Sequence, residues 1–80
     1  MNDFNLFRTS DLPLIAYLFY LNVPLERIET DRLNPRRKIF IFKEDMMVKS
    51  AVWKFKNKKA LVEPEAYFFA LRSVKARIYY

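Results

Sequence analysis

Apolar residues along the chain change their spacing from alternation to helical periodicity and back, and each change predicts an element. Phe4-Asn5-Leu6-Phe7-Arg8 is apolar and aromatic enough for a short first strand. Thr9-Ser10-Asp11 then announces a helix from Asp11 to Leu21: Ser10 or Asp11 can cap it, and Pro13 falls in its first turn. Asn22 suits the left-handed position past a helix end, and Pro24 blocks continuation. Leu25 to Arg32 sets Ile28 and Thr30 among charges, as in an edge strand, and Asn34-Pro35 makes a turn. Arg37 to Lys43 is the clearest strand, because Ile39-Phe40-Ile41-Phe42 is apolar on both alternating faces.

Asp45 can cap a second helix over Met46 to Lys56, with Val48, Ala51, Val52 and Phe55 on one stripe and Trp53 off its centre. Asn57-Lys58-Lys59 ends it, and Ala60-Leu61-Val62 makes an extended link. Glu63-Pro64-Glu65 opens a last helix whose core stripe is Tyr67, Leu71, Val74 and Ile78. The order β-α-β-β-α-α predicts an α+β fold, a meander-type sheet of about three strands packed by helices, in a single domain over residues 1–80. Helix one is apolar all round. A domain this small is expected to leave one of its faces uncovered, which points to self-association or a protein partner.

Composition sharpens this picture. Eighty residues bury only roughly 60% of the surface the unfolded chain exposes. The eight Phe, five Tyr and one Trp therefore have to make the core dense. The net charge is +6, and Arg36 to Lys59 holds nine Lys/Arg against two acids, more than the whole excess. Basic groups interleaved with aromatics suit a polyanion, above all nucleic acid.

Other chemistry is narrowed by what the chain lacks. With no His and no Cys, the commonest general base, metal ligand and thiolate are missing, so an enzyme, a metal site or a cofactor is not expected. No Gly occurs, which rules out Gly-rich phosphate loops as such. Glu29, Asp31 and Glu44 are the nearest to a carboxylate set that a metal-dependent nuclease would need. The N-terminus lacks the pattern of a signal peptide, and Leu12 to Leu21 is too short to span a bilayer, so the expected location is cytoplasmic, away from membranes.

Phe7-Arg8-Thr9-Ser10-Asp11-Leu12, Leu14-Ile15-Ala16-Tyr17-Leu18, then Trp53, Pro64, Phe68-Phe69, Leu71-Arg72 and Lys75 resemble a family of short uncharacterised bacterial and phage proteins. That family is catalogued only as a domain of unknown function. The resemblance covers nearly the whole chain and implies a free-standing small domain, often in mobile-element settings. It imports no activity. Asn57 stands where members tend to carry Gly, a place where a left-handed turn accepts Asn.

Two basic loci stand out: Arg36-Arg37-Lys38 at the hairpin, and Lys54, Lys56, Lys58 and Lys59 at the end of helix two. Six phosphate contacts would make affinity fall about 10³-fold or more between 50 and 200 mM salt. The bland alternative is a solvated basic face whose lysines complement the helix dipole. Phe40 and Phe42 faintly resemble a base-stacking strand, but core packing is the preferred role. Trp53 also reads first as core, and as a base stacker if exposed. Phe68, Arg72, Lys75 and Tyr79 share a sector of about 60° on the last helix, a second aromatic-basic surface or simply the core's rim.

The expected function is therefore low-specificity binding of DNA or RNA by a small, possibly dimeric protein. Arg36, Arg37, Lys38, Lys54, Lys56, Lys58, Lys59, Arg72 and Lys75 would be its contacts, with Trp53 and Tyr79 as stackers. The alternative is an adaptor or inhibitor of phage or mobile-element type that occupies a host or phage protein through helix one or the last helix.

Overall fold

The structure, a computed structural model, describes residues 5–79. Its elements are β1 (Leu6–Thr9), α1 (Leu12–Tyr20), β2 (Leu25–Thr30), β3 (Lys38–Lys43), α2 (Met46–Lys56) and α3 (Pro64–Tyr79). This is the expected α+β order. Phe4, taken as the start of the first strand, lies outside the described residues, and so does Tyr80.

The sheet is not a meander. Its order is β1-β3-β2, with β3 antiparallel to both neighbours. β1 and β2 therefore run parallel, with α1 connecting them across one face and β3 filling the slot between. The β2–β3 hairpin, closed by the loop from Asp31 to Arg37, dictates an antiparallel neighbour for β2, and β1 then pairs with the free edge of β3.

Local chemistry explains the boundaries. Asp11 caps α1 by accepting from the Leu14 N–H at 3.5 Å, while the Ser10 hydroxyl donates to the Lys38 carbonyl at 2.8 Å, tying the helix start to β3. Asp45 caps α2 through the Val48 N–H, and Glu63 receives the Glu65 and Ala66 N–H groups at the start of α3. α1 and α2 end alike. Asn22 and Lys58 have positive φ (61° and 59°), and the paired bonds Asn22 N–H to Phe19 O with Val23 N–H to Leu18 O recur as Lys58 to Phe55 with Lys59 to Lys54. Asn57, expected to turn left-handed, instead has φ −99°. The chain passes one residue further before reversing.

Phe40 and Phe42 are fully buried on one sheet face, where Phe19 of α1 meets them edge-on at 6.0 and 6.4 Å. Val48 and Ala51 of α2 and Val74 of α3 join the same core. Helix one has no spare face: Leu14 through Leu18 are all buried, and Leu12, Phe19, Tyr20 and Leu21 pack against the core. The expectation of an uncovered side fails because α1 lies centrally, with the sheet, α2 and α3 each taking part of its circumference. Tyr17, Tyr20 and Tyr67 lock α1 to α3. The Tyr67 hydroxyl donates to the Pro13 carbonyl, and the Tyr20 hydroxyl accepts from the Glu63 N–H.

Among the described residues, no helix packs on the other sheet face. Ile41 is buried there between its register partners Arg8 and Arg27, whose aliphatic stems flank it. Glu29 accepts from Arg8 at 2.9 Å and from Arg27 at 2.7 Å. The hydrogen bonds from Arg27 and then Arg8 hold its carboxyl below the ordinary 4.5.

Candidate functional site

The hairpin locus is divided by strand alternation. Arg37 lies towards the open face, where it lines a shallow recess with Arg8, Ser10, Asp31 and Ile39 and stands 4.0 Å from the Asp31 carboxylate. Lys38 points the other way, its ammonium donating to the Thr30 hydroxyl at 3.0 Å. Arg36 is exposed in the turn, with its backbone N–H on the Asn34 side chain. Since α2 packs on the helical side, Arg37 and the α2 lysines belong to opposite sheet faces.

The α2 lysines share one end of the helix, with Lys54 and Lys56, two residues apart, leaving it on different sides. Lys54 and Lys56 occupy the last turn, Lys58 and Lys59 the reversal that follows, and all four are exposed. Three of the last-turn carbonyls already have partners: Trp53 O accepts from the Asn57 backbone N–H and from its side-chain amide, Lys54 O from Lys59 N–H, and Phe55 O from Lys58 N–H. Among the described residues, no ion pair engages these lysines. Their ammonium groups thus face solvent with no acid nearby in sequence, since Met46 to Val62 contains none.

Trp53 is not core. It is 55% exposed, because Val48, Ala51, Val52 and Phe55 fill the buried stripe and leave Trp53 on the far side of the helix. Lys49 precedes it by four residues and Lys56 follows by three, so both are its neighbours on the surface. Lys49 escaped the sequence reading because it stands apart from the run at residues 54–59; its i, i+4 spacing to Trp53 was the available signal.

On α3, Phe68, Arg72, Lys75 and Tyr79 are exposed as one sector, with the Arg72 guanidinium 5.9 Å from the centre of the Phe68 ring. Phe69 is exposed beside them, and Arg72, Lys75, Ala76 and Tyr79 line a shallow surface recess. Arg77 does not belong to this row: it stacks on Phe19 at 5.4 Å.

Phe40 and Phe42 are unavailable to any ligand. The carboxylates Glu29, Asp31 and Glu44 do not converge either. Glu29 is engaged by two arginines, Asp31 faces Arg37 at the hairpin, and Glu44 sits at the opposite end of β3 beside Asn5.

The model of one family, described as Domain of unknown function (DUF5659), matches residues 4–80. The chain belongs to that family. The match spans every element of the fold, so the capping residues and the aromatic-basic helices lie within the family domain. No curated protein and no solved structure matches the chain. No helix among the described residues is long and apolar enough to cross a membrane.

Proposed function

We propose that this DUF5659 domain binds nucleic acid with low sequence specificity, gripping phosphates through Lys54, Lys56, Lys58 and Lys59 at the end of α2, assisted by Lys49. The observation that carries this reading is the set of exposed lysines at the end of α2, which among the described residues has no ion-pair partner, while the Trp53, Lys54 and Phe55 carbonyls beside it are already hydrogen-bonded. Lys58 adds weight. A lysine in the left-handed region costs about 1–2 kcal/mol that glycine would avoid, and strain of this kind at a charged surface points to use. Phosphate contact needs only charge and reach, so a convex helix end suffices and no base-reading groove is required.

Of the remaining candidates, Arg36 is free to add a contact from the hairpin, while Arg37 and Lys38 are held by Asp31 and Thr30. Reversing Lys54, Lys56 and Lys58 to Glu together tests the proposal by gel shift or anisotropy with labelled DNA and RNA. Binding at 100 mM salt should disappear while the circular dichroism spectrum stays unchanged. Unaltered affinity would sink the idea.

The adaptor reading retains one support. Phe68, Phe69 and Tyr79 are exposed on α3, whereas α1 no longer offers a surface. Pull-down with nuclease-treated lysate separates the two, since nucleic-acid binding predicts that any captured protein is lost on nuclease treatment.

A further inference from the structure

Resting on that reading, we infer that the bound nucleic acid is single-stranded, with an unpaired base stacked on Trp53 between the phosphate-holding Lys49 and Lys56. Trp53 presents its indole from the outermost line of α2, and its exposure is not needed for packing. Lysines four residues before and three residues after it stand about one helical turn, roughly 5 Å, to either side along the axis. That is the layout of a stacking platform within a basic track: a π-face for the base, with cations flanking it for the backbone. In a duplex, base faces are covered by their neighbours, and an indole lying on a convex helix finds only sugar and phosphate edges. The tryptophan therefore discriminates between strands where the lysines alone do not.

A second row has the same composition. On α3, Phe68 and Tyr79 bracket Arg72 and Lys75, and all four are exposed. Two helices of one small domain thus each carry exposed aromatics among cations. On a duplex-binding surface, the cations alone would suffice.

Trp53 is the only tryptophan, so intrinsic fluorescence reports on this one side chain. The full chain is titrated at 100 mM salt with oligo-dT, oligo-U and a mixed-sequence duplex, and with anionic phospholipid vesicles as a control. The expected result is quenching by both single strands and little by the duplex. In parallel anisotropy measurements, Trp53→Ala should bind single strands about tenfold or more weakly, bind duplex unchanged, and be partly rescued as Trp53→Phe. Quenching by oligo-dT alone or oligo-U alone still supports the inference and names the sugar.

Salt-sensitive binding of single strand and duplex alike, unaffected by Trp53→Ala, would overturn the single-strand assignment while leaving phosphate binding intact. Absence of binding to either would remove both. A fluorescence blue shift on vesicles, without quenching by any oligonucleotide, would assign the face to a lipid surface and also overturn the inference.

Discussion

Lys58 shows how a single residue can set local stability against surface chemistry. Its left-handed backbone closes the reversal after α2, a place glycine would fill without a Cβ clash. Lys58→Gly is expected to raise stability by about 0.5–1 kcal/mol, the relieved clash being partly offset by glycine's greater freedom in the unfolded chain, read as a higher urea midpoint with unchanged slope, and to weaken oligonucleotide binding a few-fold. Tyr67 makes a different demand. Burial, and secondarily the charge of Asp11, raise its hydroxyl above the ordinary 10.0. The folded state therefore holds this proton more tightly than the unfolded chain, so stability is full below pH 10.0 and declines as pH rises through the folded value. Tyr67→Phe should cost about 0.5–1.5 kcal/mol at neutral pH, by loss of the bond to Pro13, and should flatten the alkaline decline in melting temperature.

At the scale of elements, α1 is the keystone. Leu18 is fully buried where the helix ends, beneath the Val23 reversal. Leu18→Ala should cost about 3–5 kcal/mol, a large part of what a domain this size has, and calorimetry should show a much lower melting temperature. Much at this scale was legible in the sequence. Asp45, Pro64 and the stripes on α2 and α3 gave helix positions to within a residue or so, because caps and periodicity are local signals. The pairing of β1 with β3 was not legible, since strand order depends on contacts distant in sequence. The apolar surround of α1 misled for the same reason: its composition shows that it wants burial, and only the packing of α2 and α3 shows that it is granted. Residue type alone points Trp53 to the core, whereas its position off the Val48–Phe55 stripe places it outside.

For the whole molecule, the positive excess is a field as well as a set of contacts, and the fold distributes it unevenly. The open sheet face partly neutralises its arginines with Glu29 and Asp31, while among the described residues no ion pair engages the lysines at the end of α2. The sequence located this charge but could not divide it, because strand alternation sends Arg37 and Lys38 to opposite faces of one sheet. Lys49, Lys54, Lys56, Lys58 and Lys59 remain as the surface on which the account depends. Its most direct test is the salt dependence of affinity for a labelled single-stranded oligonucleotide. Three to five phosphates neutralised by these lysines predict a slope of log K against log salt of about −2 to −3.5, falling towards zero in whatever binding the Lys54, Lys56, Lys58 triple reversal retains below 100 mM salt. A slope near zero in the unaltered protein, or one that the reversal leaves unchanged, would contradict the account.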